Sequence, residues 1–254
     1  AHINKYKQGR VISAFIVSTY TKISKKIITH TNEHQTGIIS VYSPIGGIGK
    51  TSVAIGLAKA YAEAGEKTLY LNMEDVPSTL FHFQGNNQEL NFSDVLYESI
   101  KDKPNLSAIL SASHNYHNDG VSFIFPQNSS LELHELTKNQ WHIFIQQLHR
   151  NKVFQRILID MSTALDMKNL SVLSGSDKII LLAKEFDNAK EKLYRLEEYL
   201  KCTNPNLFDY KKNLDKFYLV ENTTDNRKDE DKKKSGIQFF GKQINTKIPF
   251  DKYL

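Results

Sequence analysis

Ser43-Pro-Ile-Gly-Gly-Ile-Gly-Lys-Thr-Ser52 decides how the rest of the chain is read. Gly46, Gly47 and Gly49 free the backbone to turn its N–H groups toward one point, which is what the concentrated charge of a nucleotide's phosphates requires. Pro44, Ile45 and Ile48 complete the loop. Lys50 is placed to reach β- and γ-phosphates, the Thr51 hydroxyl to ligate magnesium, and Ser52 to reach the α-phosphate. A helix beginning at Thr51 would aim its positive end at the same charge. The expected ligand is therefore ATP with Mg2+, provided that the loop leaves a strand and opens a helix.

The flanks meet that condition. Gly37-Ile-Ile-Ser-Val-Tyr-Ser43 is a β-branched run that stops at Pro44, a buried strand. Thr51 to Ala64 is rich in Ala and Leu without an internal Pro, a helix of about four turns with Gly65 in position for a left-handed cap. Further strands are predicted over Lys67 to Asn72, Gly120 to Phe125, Arg156 to Asp160, Lys178 to Ala183 and Phe217 to Asn222. Between them, Asn91 to Tyr97 reads as the start of a helix capped by Ser93. Trp141, Phe144, Ile145 and Leu148 mark one helix face, and Asn188 to Leu200 forms a helix capped by Asp187. The polar stretch after Tyr97 gives no clear pattern. Repeated strand–helix alternation implies an α/β fold, a mostly parallel sheet with helices on both faces.

Composition narrows the function classes. Of 254 residues, 40% are hydrophobic and 24% charged, an ordinary globular balance. The one cysteine, Cys202, excludes an internal disulfide and cannot by itself hold a zinc ion or an iron–sulfur cluster, which fits a reducing, cytoplasmic compartment. No run of about eighteen apolar residues is present, so no integral membrane segment is expected. A net charge of +5 does not indicate nucleic-acid binding. The nine histidines show no ligand spacing. Arg227 to Lys234 mixes both charge signs without an apolar residue and reads as a solvated loop, and Gly236 to Leu254 returns to strand-like patterning. The first residue is Ala1, so the chain is expected to be part of a longer protein. From Gly9 to Tyr20 an amphipathic helix pattern precedes a polar linker, so residues 1–36 are expected to close a preceding domain and residues 37–254 to form the nucleotide-binding one.

Pro44 stands where the general phosphate-loop pattern has glycine. Ile45-Gly-Gly-Ile-Gly-Lys-Thr51 resembles instead the deviant loop of the ParA/MinD ATPase superfamily, Lys-Gly-Gly-any-Gly-Lys-Ser/Thr, with Ile45 in place of the first lysine. The resemblance covers roughly Gly37 to Leu254. The family's second strand ends in Asp-x-Asp, matched here by Asn72-Met-Glu74, in which only the second carboxylate survives. Its magnesium-side strand ends in Asp-x-Pro, matched at Asp160 but not at Ser162. Asn222 corresponds to a family asparagine that bonds adenine, and Ile248-Pro249-Phe-Asp251 to the segment flanking the base. The resemblance thus implies Lys50, Glu74 and Asp160 in catalysis, with Thr51 and Asp160 on the metal. Within the superfamily, Val41 to Lys50 and Leu69 to Glu74 are most similar to the TadZ/CpaE branch, which localises tight-adherence pilus assembly and places a receiver-like domain before the ATPase. Asn4 to Gly9 resembles the close of that domain.

What this resemblance implies is an ATP-dependent homodimer at a pole or the inner face of the membrane that recruits a secretion ATPase and pilus machinery. A partition or division-site ATPase is the alternative, although Asp251-Lys-Tyr-Leu254 offers no amphipathic membrane helix. An enzyme of the same fold is a third reading. Cys202 alone excludes a cluster-bearing reductase, and Tyr253 alone is a poor tyrosine-kinase tail. Lys50→Ala is expected to abolish ATP binding, because phosphate charge is left uncompensated at reduced dielectric. Calorimetry on the variant checks this, and wild-type affinity would refute the loop assignment.

Overall fold

All six residues of β1 (Gly37–Tyr42) are buried, as a β-branched strand covered on both faces must be. In the computed structural model, which describes residues 36–85, 90–185, 187–222 and 236–248, β1 runs parallel to both of its neighbours, β5 (Arg156–Met161) and β6 (Lys178–Ala183). β2 (Thr68–Met73) lies beyond β5, and β4 (Val121–Ile124) beyond β2. β7 (Phe217–Asn222) lies beyond β6. The expected α/β architecture is thus present as an eight-stranded sheet. It is parallel except at one edge, where β3 (His114–Tyr116) runs antiparallel to β4.

Strand periodicity sorts the side chains between two cores. Ile38, Leu69, Leu71, Ile157 and Ile159 face one side with Phe92, Trp141, Phe144, Leu148 and Leu173. That side is covered by α3 (Phe92–Ser99), α4 (Leu106–Ser113), α6 (Lys138–Arg150) and α7 (Met167–Gly175), with α8 (Asp187–Cys202) completing it. Ile39, Val41, Tyr70 and Leu158 face the other side, against Val53, Ala54, Leu57 and Tyr61 of α1 (Lys50–Glu63). The short helices α2 (Thr79–His82), α5 (Leu131–Glu135) and α9 (Tyr210–Asn213) sit in the connections. None of the described helices is long and apolar enough to cross a membrane.

Several local readings hold and some change. Helix α1 ends at Glu63 and Gly65 takes φ 86°, as its capping position demands. The α3 cap is Asn91 rather than Ser93. Asn91 is extended and accepts from the Ser93 N–H at 2.8 Å, while Asp94 returns a bond to the Asn91 N–H at 2.8 Å. The Ser93 hydroxyl instead accepts from the Asn128 N–H. The unassigned stretch after Tyr97 holds α4, capped by Asn105, and the edge strand β3. Beyond Gly236 a small hairpin, β8 (Gln238–Phe239) with β9 (Lys242–Gln243), precedes β10 (Thr246–Ile248), which adds to the sheet beside β7. The expected Gly9–Tyr20 helix, the Arg227–Lys234 loop and Pro249 lie outside the described residues, as does the side chain of Asp187, whose backbone already belongs to α8.

Helices α6 and α7 meet at Gly175. A Cβ there would stand 2.3 Å from Ile145 Cγ2, a buried branched side chain with no room to withdraw. Gly175→Ala is therefore expected to cost about 1–3 kcal/mol of stability, read as a lower urea midpoint. Gly46→Ala, with nothing within 4 Å of the new carbon, should leave the midpoint unchanged.

Candidate functional site

The site begins where β1 stops. Ser43 fixes the start of the loop, donating its hydroxyl to the Leu182 carbonyl at 2.8 Å and accepting from the Ile45 N–H at 3.1 Å. Gly47 at φ 64° and Gly49 at φ 92° adopt backbone that a side chain would strain. Ile48 turns its side chain into the α1-side core, which leaves only its backbone for a ligand, and Ile45 packs half-buried against the same core. Helix α1 then opens with no side-chain cap and no acidic residue in its first turn. Among the described residues no side chain caps its N-terminal N–H groups and no carboxylate forms a close ion pair with Lys50, which is itself buried. Thr51 is half-buried and Ser52 exposed at the same helix end.

One carboxylate near this helix end, Asp160, stands on β5, and a second, Glu74, follows β2. Asp160 pairs in register with Val41 of β1 and Asn72 of β2. Alternation puts Tyr70, Asn72 and Asp160 on the face that α1 covers. Asp160 has no exposure to solvent. Its Oδ2 accepts from the Tyr70 hydroxyl at 2.9 Å, and its Oδ1 makes no standard hydrogen bond. Asn72 Nδ2 donates to Tyr70 Oη at 3.2 Å, and Asn72 Oδ1 accepts from the Glu74 N–H at 2.8 Å. Burial above all, then the charge of Asp160, pushes the Tyr70 hydroxyl well above its ordinary value, so it stays a donor.

The loop after β2 carries Glu74 and is tied down by residues that the sequence did not single out. Lys168 of α7, almost wholly buried, donates to the Met73 carbonyl at 2.8 Å and to Asp75 Oδ1 at 3.0 Å. His134 of α5 meets the same Asp75 oxygen at 2.9 Å, and Gln127 donates to the Glu74 carbonyl at 3.0 Å. Burial pushes the Asp75 carboxyl up, but Lys168 and His134 outweigh it and hold it below its usual value. Nothing local announces Lys168 as the anchor, because it comes from a helix 93 residues further on.

On the other side of the loop, Asn222 at the end of β7 donates its amide to the Ile48 carbonyl at 2.6 Å. A Cβ on Gly49 would stand 2.9 Å from that amide nitrogen. Asn222 is thus brought to the loop, although its amide here meets the backbone. Ile248 is half-buried against the α1-side core, and Pro249 lies outside the described residues. The described residues contain no group of three or more His, Cys, Asp or Glu able to hold a metal. The Thr51 hydroxyl, which lies near the Asp160 carboxylate, and Asp160 Oδ1, which makes no standard hydrogen bond, suit instead a magnesium ion that keeps several waters and shares phosphate oxygens. The donor set and the cationic loop fit a metal-bound nucleotide.

Burial first, and then the charge of Glu74, pushes the Asp160 carboxyl from its ordinary 3.8 to about 6, while Thr51, Tyr70 and Lys50 pull it back. With the folded-state value raised, protonation favours the fold. The associated stability is complete below about pH 4 and is lost as the pH rises through about 6. Asp160→Asn, neutral throughout, is therefore expected to stabilise the nucleotide-free chain by on the order of 1–3 kcal/mol near pH 8, with no gain near pH 4. Urea unfolding at the two pH values checks this.

Comparison with known proteins agrees with this geometry. The AAA domain family matches residues 36–214. No curated protein matches the chain by sequence. Among solved structures, a ParA family ATPase from Chlorobium tepidum TLS superposes with a TM-score of 0.64 at 14% identity, covering 85% of this chain and 86% of that one. A plasmid partition protein from Borrelia burgdorferi gives 0.56 at 20% identity, with 74% and 79% covered. Cobyrinic acid a,c-diamide synthase from Mycobacterium smegmatis, solved with an ATP analogue and magnesium, gives 0.54 at 15% identity, with 76% and 77% covered. The loop, the sheet order and the family match together assign the chain: it belongs to the AAA domain family and has the fold of the ParA/MinD ATPases.

Proposed function

We propose that this chain is an ATP-binding, dimerising switch of the ParA/MinD type that localises or recruits tight-adherence pilus assembly and secretion machinery, and that it hydrolyses ATP slowly. The observation that carries the nucleotide reading is the uncapped start of α1, with Lys50 buried beside it and the Asp160 carboxylate opposite. Lys50 and the loop N–H groups would neutralise the phosphates, and Asn222 would meet the base. Thr51 and Asp160 would hold Mg2+, which when bound offsets charge on the phosphate oxygens. Glu74, half-exposed at the site's edge, would orient the attacking water. An ATP analogue with magnesium in the diamide synthase of the same fold supports the choice of ligand.

Slow turnover follows from Ile45. In the superfamily that this loop resembles, a lysine at this position crosses the dimer interface to the partner's transferring phosphoryl group. Isoleucine has no charge to give, but it can pack against a second subunit. The pilus role rests on the sequence resemblance to the TadZ/CpaE branch. A partition or positioning role is the second reading, favoured by the likeness of fold to ParA and plasmid partition proteins. Charge weighs against its DNA-binding form. Lys5, Lys7, Arg10, Lys22, Lys25 and Lys26 against Glu33 account for the whole +5, which leaves residues 36–254 net neutral.

Ile45→Lys is expected to raise steady-state phosphate release roughly 10-fold or more, part of the three to five orders of magnitude a cation in trans can supply. Sizing with and without ATP should show nucleotide-dependent association in the wild type. Rapid wild-type turnover that the lysine does not change would sink the switch and favour an ATPase with a relocated cation.

A further inference from the structure

We propose that Tyr70 and Asn72 are positioning residues that aim Asp160 at the metal and couple it to the loop carrying Glu74. The inference rests on the magnesium-nucleotide reading of the site. Three bonds run in one direction: Glu74 N–H to Asn72 Oδ1 at 2.8 Å, Asn72 Nδ2 to Tyr70 Oη at 3.2 Å, and Tyr70 Oη to Asp160 Oδ2 at 2.9 Å.

The direction is fixed at its far end. A backbone N–H only donates, so the oxygen of the Asn72 amide must face Glu74 and the nitrogen must face Tyr70. Tyr70 Oη, already accepting from Asn72, then spends its one proton on Asp160. With Oδ2 held in this way, Oδ1 is the oxygen left without a bond. Asparagine is the side chain of this shape that accepts on one end and donates on the other. This gives Asn72 a physical reason to stand where the resembled family has aspartate. A carboxylate at 72 would accept from both Glu74 and Tyr70, compete with Asp160 for the single hydroxyl proton, and add a negative charge beside it. Tyr70 is itself locked in place, its ring 5.2 Å from Phe83, which stacks on Phe123. Lys168 and His134 fix the loop just past the relay, so a change at Asp160 reaches Glu74 through Asn72 instead of dissipating in a loose segment.

The test is calorimetric binding of a non-hydrolysable ATP analogue to the full chain, with magnesium and with chelator, for wild type, Tyr70→Phe and Asn72→Asp. Hydrogen exchange at the Glu74 amide is followed in parallel. Tyr70→Phe is expected to keep metal-free affinity within about twofold, and both variants, each compared with its own metal-free affinity, to lose about 10-fold or more of the gain from magnesium, the scale found when an outer-shell partner of a metal ligand is removed. Binding of the magnesium complex should slow Glu74 amide exchange in the wild type and not in Asn72→Asp. Wild-type magnesium gain and exchange protection in both variants would overturn the relay while leaving the nucleotide site intact. If the wild type itself gains nothing from magnesium, the underlying reading falls and the relay with it. Should Tyr70→Phe fail to fold, Asn72→Asp, which preserves side-chain size, decides the matter by the same measurements.

Discussion

A carboxylate sealed from water against the end of a helix is the constraint on which this site depends. Asp160 is fully buried, and a charge in such a place is held only by groups that answer it. Here those groups are the Tyr70 hydroxyl, supplied by β2, and the Thr51 hydroxyl and Lys50 ammonium, both supplied by the first turn of α1. Lys50, beside that carboxylate, forms no close ion pair among the described residues, and the start of α1 has no side-chain cap. The protein thus keeps a cationic cradle and a nearly ionised carboxylate side by side, an arrangement that a phosphate and its metal would complete from both directions.

The sheet makes that juxtaposition possible. Because β1 sits between β5 and β6, the loop that leaves it emerges beside Asp160 on one flank and within reach of Asn222 from β7 on the other. The crossover through α1 carries the chain past β5 to β2, so that the C-terminal ends of two strands distant in sequence, with Asp160 on one and Glu74 just past the other, lie side by side. Ligand sites in open parallel sheets fall at such strand ends for this topological reason. The rigidity around Glu74 has the same origin, since α5 and α7 supply His134 and Lys168 from the opposite face of the sheet.

Much of this was legible from residue types. The loop from Ser43 to Ser52 named its strand and its helix, and the buried runs at Arg156 and Phe217 marked strands that end in Asp160 and Asn222. The α3 cap was misread because Ser93 and Asn91 are both capping residues, and only the extended backbone of Asn91 with Asp94 three residues on settles the choice. Edge strand β3 was missed because three residues carry too little pattern to register.

What the sequence determined by itself is the set of local, short-range chemistries. Glycines, a lysine and hydroxyls at fixed spacing dictate a phosphate loop, and β-branched runs dictate buried strands, because both depend on neighbours within a few residues. Tertiary structure alone decided which distant groups those chemistries meet. Tyr70 reads as an ordinary strand aromatic until β2 is laid beside β5, and Lys168 reads as a surface lysine until α7 brings it under Met73 and Asp75. Such contacts arise from strand order and helix packing, which no spacing along the chain encodes, since residues ninety or more positions apart share a hydrogen bond only after the sheet has formed.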